Sequence, residues 1–175
     1  MNLKGDKRMI EFSVSGPHDV PVYLHGCVDK KQVDESRIKD LWNALPESEQ
    51  PGVYIYAIRA AKGLVPIYIG KSTRAINKEA LNPRNISTLN KRLLNLNKGT
   101  LVLFCVSWPT GKKSRLSESI DELETVLIQY GIKANNNLLN NRKIKSQDAW
   151  GIYGVNGCGH STKSSRELKK CLNIK

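Results

Sequence analysis

The sequence has no run of about eighteen apolar residues, the length a helix needs to cross a bilayer, so no helical membrane span and no membrane partner is expected. Its four cysteines, Cys27, Cys105, Cys158 and Cys171, are widely separated. They form no C-x-x-C pair, and no His stands at finger spacing, so neither structural zinc nor a disulfide framework is implied. Free thiols in a reducing compartment follow. The opening MNLKGDKRMIEF is basic but has no apolar stretch behind it, so no secretory signal is expected and a cytoplasmic location is. No internal repeat is present: Gly151-Ile152-Tyr153 echoes Gly52-Val53-Tyr54, but no second Tyr-Ile-Gly follows it. Gly70-Lys71-Ser72 resembles the end of a phosphate-binding P-loop, yet the spacing would require Gly where Val65 stands, which excludes that class of nucleoside triphosphatase.

What is present is an ordinary globular composition, 39% hydrophobic and 25% charged over 175 residues, with the size of one domain. The net charge of +12 is unevenly placed. Residues 1–50 carry 7 basic and 9 acidic side chains, 51–116 carry 12 and 1, 117–141 carry 1 and 4, and 142–175 carry 8 and 2. Two cationic segments flanking a small acidic one suit a polyanion-binding face around a cation site. The expected partner is nucleic acid.

In chain order, residues 9–24 alternate apolar and polar around Gly16-Pro17-His18-Asp19, which predicts two short strands and a turn. Ile38, Leu41, Trp42 and Leu45 recur at helical spacing after Asp34, a plausible N-cap, and Pro46 ends the helix. Residues 52–58 and 66–70, rich in Val, Ile and Tyr and joined by a loop containing Gly63, predict a β-hairpin. A short helix ending before Pro83 and a loop come next. A helix from Thr88 to Asn97 then carries Leu89, Leu93 and Leu96 on one face, with Gly99 as its stop. The apolar run 101–108 predicts a buried third strand. Ser117 to Tyr130 is the clearest helix, 135–141 (NNNLLNN) a polar loop, and 164–172 a last basic helix.

Two side chains stand out against these elements. Glu124 shares a helix face with Ile120, Leu127 and Ile128, where an ionised carboxylate is costly unless something compensates it. Arg92 lies at the edge of an apolar face, between Leu89 and Leu96. In the first hairpin strand Tyr54 and Tyr56 face one way and Val53 and Ile55 the other. Tyrosines on one face, near helices bearing Glu124 and Arg92, would make a polar pocket on an apolar scaffold.

Gly52-Val53-Tyr54 followed fourteen residues on by Tyr68-Ile69-Gly70 resembles the paired signature of the GIY-YIG nuclease family. Three further elements occur in the family's order: an Arg in a K-R-L string (Lys91-Arg92-Leu93), a Glu in an E-x-x-L-I string (Glu124 to Ile128), and an Asn about a dozen residues later (Asn136). The resemblance covers residues 52–137. It implies that Glu124 binds one divalent cation, Mg2+ or another such as Mn2+, and that Tyr54 is general base supported by Tyr68 and Lys71. It further implies that Arg92 clamps the phosphate and Asn136 positions the site. Expected nucleic-acid contacts are Lys71, Arg74, Lys91, Lys112, Lys113, Arg142, Lys143 and Lys145.

The chain departs from the family in three places. It is longer between Gly70 and Arg92 than small members are, so Arg74 and Arg84 compete with Arg92. Leu96 stands where restriction members often have His, with His160 a distant substitute. Asn135 and Asn137 compete with Asn136. The resulting expectation is an α/β (α+β) fold: a three-stranded, mainly antiparallel sheet flanked by helices, forming a nuclease core at 51–141. An N-terminal strand-turn-strand-helix extension (1–50) and a basic C-terminal extension (142–175) pack on it. The expected activity is metal-dependent hydrolysis of phosphodiester bonds in double-stranded DNA, restriction being one setting. The alternative is a non-catalytic basic nucleic-acid-binding protein.

Overall fold

The computed structural model describes residues 10–25, 30–96, 98–109, 115–140, 150–155 and 160–174. In chain order the elements are β1 (Ile10–Asp19), β2 (Val22–His25), β3 (Lys30–Val33), α1 (Ile38–Asn43), β4 (Gly52–Ala60), β5 (Gly63–Ser72), α2 (Ile76–Glu79), α3 (Pro83–Leu93), β6 (Thr100–Ser107), α4 (Leu116–Ala134), β7 (Trp150–Ile152) and α5 (Lys163–Cys171). The fold is mixed α/β. Its main sheet has the strand order β5-β4-β6-β1-β7, and β2 with β3 forms a separate two-stranded ribbon.

The main sheet is wider than the three strands expected. β4, β5, β6 and β1 run antiparallel in succession, and β7 adds parallel to β1. The reason lies in β6, which is buried along nearly its whole length and therefore needs a hydrogen-bonded neighbour on each side. β4 supplies one and β1 the other. The two strands expected in this stretch are present as β1 and β2, but the break between them falls at Val20-Pro21 and not at Gly16-Pro17-His18-Asp19, so β1 runs on for ten residues. Gly16-Pro17, a turn signal in isolation, is absorbed by a register shift between Ser15 and His18, a bulge of the kind that tolerates Gly and Pro within a strand.

Period-2 alternation divides the core into two layers. Val53, Ile55 and Ala57 face Phe104 and Val106, under Ile120, Leu123 and Leu127 of α4 and Leu168 and Leu172 from the α5 end. Tyr54, Tyr56 and Ile58 face the other way with Leu103 and Cys105, under Ile76 of α2 and Ile86, Leu89 and Leu93 of α3. The sheet is thus the middle of three layers. In β5 the register slips by one, with Tyr56 opposite Tyr68 but Ala57 opposite Pro66. The extra residue, Ile67, turns itself and Tyr68 to the Tyr54 face while Ile69 enters the other core. Pro66 sits at this bulge on an edge strand, where a missing N–H is tolerated.

α3 begins at Pro83, earlier than the sequence pattern indicates. Asn82 caps it by accepting a hydrogen bond from the Asn85 N–H at 2.8 Å, and Pro83 takes the first helical position, where its fixed φ favours the helix. Reading Pro83 as a breaker moves this start one and a half turns too late. Asp34 caps a short 3-10 turn that runs into α1, and α5 lies within one residue of the expected basic helix.

Gly52, the first residue of the hairpin, lies against β6. A Cβ there would sit 2.2 Å from the Val106 carbonyl oxygen, so the strands must separate to admit one. Gly52→Ala is expected to cost about 1–3 kcal/mol, as overpacking typically does, measured as a lower urea midpoint at unchanged m-value.

Candidate functional site

At the β5 edge the two helical layers come close to each other, and between them lies a cleft of about 540 Å³. β5 contributes Tyr68 and Lys71, α2 contributes Glu79, and the first turn of α3 contributes Arg84 and Asn85. α4 contributes Asp121, Glu124 and Thr125 from the opposite side, and Leu139 and Asn140 close one end. Three carboxylates against two cations give the cleft walls a net charge of −1 within a chain of +12.

Tyr54 forms the floor behind the cleft and not its wall. It is 2% exposed. Its ring lies over Gly70, where an added Cβ would fall 2.4 Å from the Tyr54 hydroxyl oxygen, so the glycine makes room for the tyrosine. That hydroxyl accepts a hydrogen bond from Asn85 Nδ2 at 2.9 Å, and the same amide nitrogen also donates to the Glu79 carbonyl at 2.9 Å. Tyr68 stands next to Tyr54 on the cleft side. The rings of Tyr54, Tyr56 and Tyr68 lie with centroids 5.8 to 6.4 Å apart. Burial, then the neighbouring Tyr68, raises the Tyr54 pKa far above the ordinary tyrosine value. The general-base role implied for Tyr54 therefore suits it poorly: it is sealed off and firmly neutral.

Tyr68 is the tyrosine that reaches the cleft. Burial raises its pKa, Glu124 and Glu79 add to the shift, and the Tyr54 donor and the Arg84 charge oppose it. Lys71 hydrogen-bonds Asp121 and lies 3.3 Å from a Glu124 carboxylate oxygen. Partial burial lowers the Lys71 pKa, but the two carboxylates outweigh it and the net shift is upward, so Lys71 is a cation and not a base. Asp121 and Glu124 are three apart on α4 and thus on one face.

The structure brings Tyr68, Lys71 and Glu124 together with Tyr54 behind them. Arg92 is not there: it lies eight residues beyond Arg84 on α3, about 12 Å along the helix, and Arg84 is the α3 guanidinium in the cleft. Arg74 is exposed in the turn after β5 and Lys91 is exposed on α3. His160 stands beside Gly154 past β7, at the sheet edge opposite β5. Lys112, Lys113, Arg142, Lys143 and Lys145 lie outside the described residues.

Among the asparagines, Asn136 is exposed and Asn137 donates its backbone N–H to the Asn135 side chain. Asn135 donates to the Pro66 carbonyl at 2.7 Å. Asn140 is the one in the cleft. Its amide oxygen accepts from the Ile69 N–H at 2.8 Å and its amide nitrogen donates to the Ile69 carbonyl at 2.6 Å, so one side chain serves as the missing strand partner at the sheet edge. No periodicity distinguishes it within an asparagine-rich loop. Asn85 and Glu79 were legible only through the Asn82-Pro83 cap, which sets the first turn of α3.

No protein-family model, curated protein or solved structure matches the chain. The described residues hold no cluster of three or more His, Cys, Asp or Glu side chains arranged for a metal. Glu124 with Asp121 nonetheless supplies oxygen donors to one side of the cleft. A hard divalent cation that keeps several waters and binds through one or two carboxylates plus substrate phosphate fits that donor set.

Removing the Asn140 amide exposes two backbone groups of Ile69 at once. Asn140→Ala is expected to cost about 1–3 kcal/mol and to speed hydrogen exchange at the Ile69 amide, whereas Asn136→Ala leaves both unchanged. Native-state exchange with urea titration checks the pair.

Proposed function

We propose that the chain is a metal-dependent endonuclease that hydrolyses DNA phosphodiester bonds. The observation that carries this reading is the convergence of Tyr68, Lys71, Arg84 and Glu124, from one edge strand and one helix on each side of the sheet, on one cleft at its edge. The GIY-YIG resemblance adds to it, with Arg84 and Asn140 in the places that the resemblance gives to Arg92 and Asn136.

A divalent cation held by Glu124, with Asp121 beside it, would neutralise the phosphate and stabilise the leaving oxygen. The chain's own groups do the rest. Arg84 presents a planar guanidinium to the phosphate oxygens and holds the charge that grows on them. The Tyr68 oxygen orients a water for attack on phosphorus. To take the water's proton Tyr68 must first ionise, which Arg84 and the Tyr54 donor favour and the nearby carboxylates oppose. Lys71 holds the α4 carboxylates in place while the substrate is absent.

That pairing also favours a second reading. An ammonium already paired with Asp121 and Glu124 stands where cationic charge is needed, as a purely binding protein that retains the fold could arrange it. Supercoiled plasmid with Mg2+ or Mn2+ separates the two: nicked or linear product supports the nuclease, and binding without cleavage in either metal supports the binder.

For the nuclease, Glu124→Ala is expected to abolish cleavage with duplex binding retained. Arg84→Ala is expected to lower kcat by about 100-fold or more, with Arg92→Ala within a few fold of the parent; equal losses at both would remove Arg84 from its role. Because the reactive form of Tyr68 is deprotonated and its pKa is raised, cleavage should climb about tenfold per pH unit through neutrality and continue into the alkaline range. Tyr68→Phe should flatten that rise. A pH profile of kcat/KM that is already level at neutral pH would assign the base elsewhere.

A further inference from the structure

The exposed face of α3 begins in the cleft. Arg84, Ser87 and Lys91 are exposed at i, i+3 and i+7, while Asn85, Ile86, Leu89 and Leu93 are buried on the opposite face. α3 contains no Asp or Glu, and neither does β2 or β3. The β2–β3 ribbon packs on α3, with the Val33 N–H donating to Asn90 Oδ1 at 2.9 Å. At its other end the Lys31 ammonium donates to the Gly99 carbonyl at 2.7 Å, which sets exposed Lys30 and Lys98 in the same region. Tyr23 and Leu24 on β2 are 43% and 59% exposed, two large apolar side chains on an element with little core to bury them.

From this arrangement, and resting on the DNA reading above, we propose that α3 and the β2–β3 ribbon form the duplex-holding surface. Arg84, Lys91 and Lys98 would follow the phosphates away from the cleft while the ribbon, with Lys30, Tyr23 and Leu24, enters the major groove. The dimensions agree. α3 from Arg84 to its end spans about 15 Å, or about four base pairs at 3.4 Å each, and a two-stranded ribbon matches a major groove about 12 Å wide. The charge argues for DNA over a second copy of the chain, because two such surfaces brought together would oppose like charge to like charge. In duplex RNA the major groove is too deep and narrow to admit the ribbon.

The test is binding of a duplex of about 21 base pairs, two helical turns, to the full chain by fluorescence anisotropy across a salt series with chelator present, so that cleavage plays no part. Lys30→Ala/Lys91→Ala/Lys98→Ala is expected to weaken binding at least tenfold and to reduce the log–log salt slope by about 0.9 for each phosphate no longer neutralised. A control with the same change of charge elsewhere, Lys62→Ala/Lys133→Ala/Lys163→Ala, should leave the slope as it was. Tyr23→Ser/Leu24→Ser should weaken binding several-fold at unchanged slope. Equal weakening by the two lysine triples would overturn the proposal, as would Tyr23- and Leu24-dependent binding of duplex RNA. So would a native mass that halves in Tyr23→Ser/Leu24→Ser with DNA affinity unchanged, which would make the ribbon an interface between copies. Lysine-dependent duplex binding supports the proposal whether or not the plasmid is cut; cutting by a lysine triple that binds as tightly as the parent overturns this proposal alone.

Discussion

The Tyr54 ring can lie across β5 only because residue 70 has no side chain, and its hydroxyl is then fixed by Asn85. That hydrogen bond ties the central hairpin to the first turn of α3. Asn85 is placed by the Asn82 cap and Pro83, and Arg84 is its immediate neighbour. Where Tyr54 sits therefore sets where Arg84 projects. Tyr54 also packs beside Tyr68, so the buried tyrosine supports the half-buried one without lining the cleft.

The sheet edge poses the opposite problem. An edge strand offers unpaired backbone groups, and a cleft there would be blurred if β5 could shift or pair with another chain. Asn140 occupies both Ile69 groups and the Leu139 N–H donates to the Ile67 carbonyl at 2.9 Å, so the loop after α4 covers the edge like a short partner strand. The Ile67 bulge lies in the same stretch and turns Tyr68 toward the tyrosine layer. One strand edge is thus closed by a loop from the helix that carries Glu124, which fixes α4 relative to Tyr68.

These couplings explain what could be read from the residues and what could not. Alternation in β4 gave the correct face for Tyr54, and helical spacing gave the correct face for Glu124, because each signal is confined to one element. The pairing of β1 with β6 was hidden, since Gly16-Pro17 has the same local form in a turn as in a bulge. Arg84 displaces Arg92 for a related reason: Pro83 can end a helix or begin one, and the Asn82 cap, three residues before Asn85, is the signal that decides. Asn140 displaces Asn136 because a backbone clamp depends on where a loop crosses a strand, which no spacing along the chain encodes.

The charge pattern has its own logic. The cleft carries a net −1, while the α3 and ribbon surface leading from it is basic and free of carboxylates in its regular elements. A uniformly basic cleft would hold phosphate tightly before and after reaction and gain nothing in the transition state. On the proposed reading, separating the two would let exposed lysines supply affinity at a distance, in a form that salt weakens. The carboxylates of α4 pair with Lys71, and on the nuclease reading proposed above they would hold the cation whose charge meets the negative charge growing on the leaving oxygen.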